Sequence, residues 1–178
     1  MKSSQIKGKR VLLHFSDNSK DEKQSKLFVK YLKQSLPALE NFIFSKNLII
    51  AKKKVSQVEI SLSLCGNAKI RSLNKEYRGK DYATDVLSFQ LHDSLRTDED
   101  FFFFDKILNL GDIIISREVA KKQAREFEIT YEQELLHLFV HGLLHVLGYD
   151  HEISDAEEKI MNKFEEQIVA KIYKDIGF

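Results

Sequence analysis

The sequence predicts an α+β fold in which a single mixed β-sheet of about four strands packs against helices. Residues 58–64 alternate apolar and polar side chains with the period of two that is typical of a half-buried strand. The apolar residues within 20–36 recur instead at helical spacing. Because strand-like segments are followed by helix-like segments towards both ends of the chain, we expect the helices to pack around one sheet.

The first half of the chain contains two further predicted strands and one predicted loose end. Residues 1–9 are polar, and we predict that they are loose. A short strand is predicted over residues 10–15 and another over residues 48–51. The helix of residues 20–36 should be interrupted or closed by Pro37, because proline has no backbone N–H to donate.

The rest of the chain is predicted to form two more strands and four helices. The strands span residues 84–90 and 110–115. The helices are one over residues 68–77, with Ile70, Leu73 and Tyr77 on one stripe; one over residues 117–127, with Ser116 as its N-cap; one opened by the capping box of Thr130 and Gln133; and one opened by Ser154 and Glu157, with Ile160, Met161, Phe164 and Ile168 facing inward.

An unusual segment, residues 91–109, separates the last two predicted strands. It contains an acidic cluster, residues 98–100, followed by four consecutive phenylalanines, residues 101–104. The phenylalanines predict either an irregular strand that covers the core or a docking surface. The first interpretation is favoured, because exposed patches this apolar are uncommon.

Length and composition favour one domain, residues 1–178, in a reducing compartment. A chain of 178 residues can bury one substantial core. Cys65 is the only cysteine, which excludes an intramolecular disulfide and a cysteine-based zinc cluster. The apolar segments are too short for a signal peptide or a bilayer span, so we expect a soluble cytoplasmic protein without membrane contact.

The charges are unevenly distributed, although the net charge is only +1. Residues 1–54 hold 13 lysines and arginines against 4 acidic residues, while the remainder of the chain carries a net charge of −8. This basic first third, which includes the lysine run of residues 52–54, predicts either attraction to a polyanion such as nucleic acid or a solvated lysine-rich surface. Charge alone favours the second.

Three histidines near the end of the chain predict a metal site. His141 and His145 lie four residues apart, so on a helix they share one face. Gly148 tolerates a positive φ, and it can end the helix and turn the chain so that His151 reaches the same ion. Three imidazoles are typical zinc ligands, and they leave one tetrahedral position open for water, as catalytic zinc sites do.

A fourth histidine, His137, lies one helical turn before His141. One turn measures about 5.4 Å, so three histidines on one straight helix cannot all bind a single ion. We therefore predict that His137 contacts a ligand residue from outside the metal site or belongs to the core.

The histidine spacing matches the zinc peptidase patterns H-E-x-x-H and H-E-x-x-H-x-x-G-x-x-H at every ligand position. Where those peptidases have the glutamate that activates water, this chain has Gly142, which cannot accept a proton. A peptidase would have to recruit its base from a distant residue. A hydrolase whose general base lies elsewhere is compatible with the motif.

Three motifs in order resemble those of the YbeY family, bacterial metal-dependent endoribonucleases. They are residues 73–78 (LNKEYR) with residues 84–89 (TDVLSF), residues 111–113 (GDI) and residues 141–151 (HGLLHVLGYDH). The resemblance covers about residues 58–170. It does not extend to the lysine-rich first 50 residues or to the phenylalanine segment.

The resemblance implies a metal-dependent hydrolase domain that acts as a single-strand-specific endoribonuclease in ribosomal RNA processing, including 3′ end maturation of small-subunit rRNA, and in ribosome quality control. It assigns His141, His145 and His151 to one zinc ion per chain and Arg78 to catalysis. Its expected partners are ribosomal RNA and the ribosome or small-subunit proteins.

The role of Arg78 also has a simpler interpretation. A guanidinium suits catalysis on phosphodiesters, because it can pair with phosphate oxygens and stabilise growing charge. The alternative is an ion pair with Asp81 or Asp85. Asp85 and Asp150 could each orient a ligand imidazole or accept a proton, and the sequence leaves both jobs open.

Two other functions compete with the ribonuclease interpretation. The first is a zinc peptidase with an atypical base. The second is a ribosome assembly factor in which the metal mainly holds the helix and the following loop together, since metal binding can supply folding energy directly.

Overall fold

Five strands form one mixed sheet within the residues that the computed structural model describes, which are 2–18, 21–45, 48–53, 55–92, 95–96 and 106–178. The strands are β1 (Lys2–Lys7), β2 (Val11–Asp17), β3 (Gln57–Cys65), β4 (Val86–Gln90) and β5 (Ile107–Ser116). The order is β1-β2-β3-β5-β4, in which β2, β3 and β5 are parallel and the edge strands β1 and β4 are antiparallel to their neighbours. The predicted α+β class with one mixed sheet is confirmed, with five strands where about four were expected.

The helices of the described residues cover the sheet. They are α1 (Glu22–Ile43), α2 (Ile49–Lys52), α3 (Asn67–Arg78), α4 (Arg117–Glu126), α5 (Tyr131–Val146) and α6 (Asp155–Ile176). α5 packs directly against β4 and β5, and α6 packs against α5 and α1. Among the described residues, every helix is too short or too polar to cross a membrane.

The core is built from the alternation that predicts the strands. In β3 the apolar residues at alternate positions from Val58 to Leu64 are buried, while the polar residues between them are partly exposed. These buried residues belong to the same core cluster as buried residues of α1, α5 and α6. α3 covers part of the opposite face, where Ile70 packs with Leu87 of β4 and Cys65 of β3.

The prediction that residues 1–9 are loose is wrong. β1 pairs antiparallel with β2 along its length, and Ile6 is buried opposite Leu13. The side chains from Ser3 to Gln5 and at Lys7 are polar and exposed, as suits an edge strand. One buried apolar residue is too weak a pattern to identify such a strand without its partner.

Two predictions in the first half of the chain are also corrected. α1 continues through Pro37 to Ile43, because Leu36, Ala38 and Leu39 on either side of the proline are buried in the core. That burial offsets the hydrogen bond that a proline removes. Residues 48–51 contribute to the short helix α2 instead of a strand, with the consecutive Ile49 and Ile50 both buried.

The predicted helix starts in the second half are confirmed. Ser116 and Ser154 accept hydrogen bonds from the backbone N–H groups three residues later. Thr130 and Gln133 form the complete capping box that opens α5. On α6, Met161 and the other residues predicted to face inward are buried or packed against the core. The phenylalanines at 101–104, the acidic cluster at 98–100 and Lys54 lie outside the described residues.

Candidate metal centre

The three histidines that were predicted to bind metal converge at the end of α5. His141 and His145 lie one turn apart, and α5 ends at Val146. Gly148 has a φ of 93°, in the left-handed region that glycine adopts without strain. Its N–H donates to the carbonyl of His145 at 2.9 Å, and the chain then turns to place His151 against both helical histidines.

The loop that carries His151 is anchored by Tyr149. This side chain is buried, and its ring contacts the rings of Phe42 and Phe164, with centroids 6.2 and 5.4 Å away. The guanidinium of Arg96 lies 4.5 Å from the Tyr149 ring centroid and pairs with Glu157 at the start of α6. The position of the third histidine is therefore held by the core.

The spacing of the imidazole nitrogens fits one metal ion. One ring nitrogen from each of His141, His145 and His151 lies within 4.8 Å of the other two, and the Nε2 atoms of His141 and His145 are 3.2 Å apart. Zinc–nitrogen bonds of about 2.0–2.1 Å in a tetrahedron place their nitrogens about 3.3–3.5 Å apart. The distance between His141 and His145 is close to this spacing, so the three histidines form a group that could hold one metal ion.

The surroundings of His145 favour its neutral imidazole. Burial, and then the like charges of His141 and His151, lower the pKa of His145 to about 4. This side chain is consequently neutral at pH 7. A histidine must be neutral to bind a metal, so His145 is ready to act as a ligand without first losing a proton.

Glu165 of α6 holds His141 from the side that faces away from the other two histidines. Its Oε2 accepts a hydrogen bond from Nδ1 of His141 at 2.8 Å, and its Oε1 accepts one from Nε2 of His137 at 2.6 Å. The bond to Nδ1 leaves Nε2 of His141 directed at His145. His137 thus contacts the ligand set through a carboxylate, which is the first of its two predicted locations.

The contacts of Glu165 and His137 keep both side chains charged at neutral pH. Burial opposes ionisation of Glu165, but hydrogen bonds from His137 and His141 outweigh it and lower the pKa of Glu165 to about 2. The carboxylates of Glu134 and Glu165 raise the pKa of His137 to about 10. At neutral pH the ionised carboxylate of Glu165 is therefore hydrogen-bonded to His137 and His141 of α5.

Sequence reasoning missed Glu165, although a signal was present. Glu165 lies four residues after Met161 and three before Ile168, so it falls on the inward stripe of α6 among apolar residues. An acidic side chain is rarely buried unless it has a partner. Glu165 therefore needs a partner, and the histidines of the preceding helix are the candidates.

Arg78 shares a groove with the histidines. The groove has a volume of about 730 Å³ and is lined by residues from 77–90 and from 141–152. Gly79, with a φ of 68°, ends α3 directly after Arg78. Nη2 of Arg78 lies 3.2 Å from Oε1 of Glu152, whereas Asp81 pairs with Arg71 and Lys75. The alternative partners considered for Arg78, Asp81 and Asp85, are therefore replaced by Glu152.

Comparison with known proteins identifies the family of this chain. The family model described as Endoribonuclease YbeY matches residues 16–173. The chain belongs to the YbeY family. Endoribonuclease YbeY of Sulfurihydrogenibium sp. (strain YO3AOP1) is 45% identical over 124 residues, which are 70% of this chain and 76% of that protein. Endoribonuclease YbeY of Heliobacterium modesticaldum (strain ATCC 51547 / Ice1) is 47% identical over 117 residues, 65% of this chain and 70% of that protein.

A solved structure shares the fold. The solution structure of TM1509 from Thermotoga maritima superimposes with a TM-score of 0.54 at 28% sequence identity, covering 92% of this chain and 90% of that one. The resemblance to the YbeY family that the three motifs indicate is confirmed by the family model and by these relatives.

In this YbeY-family chain, Gly142 is required by packing. A Cβ atom at position 142 would lie 2.7 Å from Cγ2 of Ile113 and 2.9 Å from Oγ of Ser88, closer than side-chain carbons pack. The residue after His141 therefore faces β4 and β5. Gly111, at the start of the GDI motif, has a φ of 138°, and its Cβ would meet the carbonyl oxygen of Phe89 at 2.1 Å. Gly142 allows α5 to approach β5, and Gly111 allows β4 to approach β5.

Asp85 and Asp150, which the sequence left able either to orient an imidazole or to accept a proton, are each engaged in other hydrogen bonds. Asp85 accepts hydrogen bonds from Nε2 of Gln123 and the N–H of Val86, and these outweigh burial and lower its pKa. A carboxylate engaged in this way is a weak general base. Asp150 accepts from the N–H of Glu152 at 2.8 Å and so shapes the loop that carries the third histidine. The carboxylate that orients a ligand imidazole is Glu165.

Proposed function

We propose that this protein is a zinc-dependent, single-strand-specific endoribonuclease that acts in ribosomal RNA processing, including 3′ end maturation of small-subunit rRNA, and in ribosome quality control. The observation that carries the proposal is the groove that joins the three-histidine cluster to Arg78 in a chain of the YbeY family. The proposal also includes a single metal-dependent hydrolase domain in the cytoplasm, with ribosomal RNA and small-subunit proteins as partners.

His141, His145 and His151 are proposed to hold one zinc ion per chain. Three neutral imidazoles suit zinc by ligand type, and the nitrogen spacing described above suits its bond lengths. When bound by three protein ligands, zinc lowers the pKa of a water in its open position to about 7 and polarises a substrate oxygen. Glu165 keeps His141 in the orientation that this site needs.

Arg78 is proposed to bind the scissile phosphate. Its ion pair with Glu152 is exposed, with 42% and 60% of the two side chains accessible, and pairs of this kind stabilise a protein by about 1 kcal/mol or less. Arg78 can therefore exchange Glu152 for a phosphate at small cost. Its N–H groups then stabilise the negative charge that grows on the phosphate oxygens during cleavage.

The test is cleavage of structured ribosomal RNA by the zinc-loaded protein. His145→Ala should abolish cleavage, and Arg78→Ala should reduce kcat by roughly 100- to 1000-fold, the effect of removing one donor to a transition-state oxyanion. Arg125→Ala is the matched control, because Arg125 is an exposed arginine on α4 that does not line the groove. Cleavage that survives His145→Ala unchanged would contradict the proposal.

The ends of the RNA product identify the nucleophile. A 2′,3′-cyclic phosphate would show that the ribose hydroxyl attacks, whereas a 5′ or 3′ monophosphate without a cyclic intermediate indicates attack by water. Loss of activity with retention of the folded state after chelation would contradict a purely structural metal, which is the assembly-factor alternative. The peptidase alternative would be supported instead by chelator-sensitive cleavage of a generic unfolded protein.

A further inference from the structure

Two exposed tyrosines line the same groove as the histidines. Tyr77 is 61% exposed and Tyr82 is 55% exposed, and they lie on either side of Arg78 and Lys80 in the sequence. A single exposed aromatic residue is ordinary on a protein surface. Two phenol rings with two cations between them in the sequence, all lining one groove, suit the bases and phosphates of a nucleic-acid strand.

Both tyrosines are held in place before any ligand arrives. The ring of Tyr77 packs edge-to-face on Phe89 of β4, with centroids 5.1 Å apart and an interplanar angle of 73°. The carbonyl of Tyr82 accepts a hydrogen bond at 2.9 Å from Nδ2 of Asn74, which is 1% exposed. The neighbouring Asp81 is tied to α3 through two ion pairs. Such preorganisation reduces the entropy lost on binding.

We propose that Tyr77 and Tyr82 form a nucleobase subsite, in which each ring stacks on an unpaired base of single-stranded RNA while Arg78 and Lys80 contact the neighbouring phosphates. The subsite rests on the proposed ribonuclease function and adds the physical origin of its single-strand preference. Bases in a duplex are stacked on each other and paired, so their faces are not accessible to a protein ring. Stacking accepts any base, because every base has a π-face.

The groove also carries acidic side chains, but these do not oppose the assignment. Glu152 is paired with Arg78 in an exposed contact that a phosphate can replace. Asp85 is held by Gln123, and Asp150 by the backbone of its own loop. The large exposed hydrophobic side chains that line the groove, Tyr77 and Tyr82, are aromatic, which favours bases over the aliphatic face of a partner helix.

The subsite is tested by binding measurements on the zinc-loaded protein, with a labelled single-stranded 2′-O-methyl phosphorothioate oligonucleotide that resists cleavage. Tyr77→Ala and Tyr82→Ala should each weaken binding by roughly 5- to 150-fold, the range found when a stacked aromatic residue is truncated. Phenylalanine at either position should retain wild-type affinity, whereas leucine should behave like alanine because it is apolar but has no π-face. Phe127→Ala, which removes a 59% exposed aromatic outside the groove lining, should have no effect.

An abasic oligonucleotide completes the test. Removal of a base should weaken binding to the wild type and have much less effect on the alanine variants, because the contact is already missing. Alanine variants that bind the intact oligonucleotide as tightly as the wild type would overturn the subsite, as would equal affinity of the wild type for single strands and duplex. A wild type that binds single strands through the tyrosines but cuts no RNA would overturn the ribonuclease proposal and leave the subsite supported.

Discussion

Replacing Glu165 with alanine should weaken metal binding at the three-histidine cluster while the fold is retained. Glu165 is the acceptor for Nδ1 of His141 and for Nε2 of His137, at 2.8 and 2.6 Å, and its side chain is only 15% exposed. Without it, the His141 ring loses the contact that directs Nε2 towards the other two ligands. The ring must then be ordered by the metal alone.

The expected size of the effect follows from this geometry. Loss of a partner that orients a ligand histidine typically lowers metal affinity by roughly 10- to 100-fold, or about 1.4–2.7 kcal/mol. Glu165→Gln should give an intermediate loss. Both imidazoles donate to this carboxylate, and an amide offers one oxygen acceptor in place of two, so glutamine can satisfy His141 or His137 but not both.

The assay is competition between the protein and a chromophoric zinc chelator, with circular dichroism of each variant as the check on folding. Glu166→Ala is the matched control, because Glu166 is the next residue on α6 and is exposed. Zinc affinity of Glu165→Ala within twofold of both the wild type and the control would refute the reasoning. The readout is independent of catalysis, so it tests the site even if the RNA substrate is misassigned.

Three further predictions follow from the structure. Gly142→Glu should lower the free energy of unfolding by about 3 kcal/mol or more in urea titrations, and should create no casein cleavage, since the new carboxylate is driven into the sheet. Glu152→Gln should raise affinity for single-stranded RNA up to about fivefold at low salt, measured by fluorescence anisotropy, and should do nothing when Arg78 is already alanine. Hydrogen bonds from Arg71 and then Lys75 lower the pKa of Asp81 from its usual value of 3.8 to about 2. The ion pairs therefore contribute fully above pH 3.8 and are lost as the pH falls through about 2. Arg71→Gln should raise the pKa of Asp81 in an NMR titration.

The parts of the fold that the sequence predicts are those whose pattern is local. β3 and the capping box at Thr130 need no knowledge of their neighbours, because alternation and capping act within a few residues. β1 has a single buried apolar residue, Ile6, and becomes a strand through its pairing with β2. Pro37 is tolerated because the helix around it is buried, which a propensity argument cannot include.

The candidate metal site likewise combines residues that are brought together locally with residues that are brought together by packing. His141, His145 and His151 share one short segment, so their spacing alone brings them together. Glu165 reaches them from another helix, 24 residues after His141, and the contact exists because α6 packs on α5. The partner of Arg78 is Glu152, at a sequence distance of 74 residues. The convergence of histidines within one segment is predictable from sequence, while their contacts with residues of other elements depend on packing.

The histidine spacing is shared with zinc peptidases, but spacing decides only which side chains face the ion. The residue after the first histidine points about 100° around the helix, and what lies there is set by the surface on which the helix rests. In this fold that surface is the sheet, where Ile113 and Ser88 leave no room for a side chain at position 142. The groove beside the histidines is lined by residues of α3 and β4, and α3 supplies Arg78 and the exposed Tyr77. Two proteins can therefore share this histidine spacing and still place different side chains beside it, because the helix that carries it rests on a different neighbour.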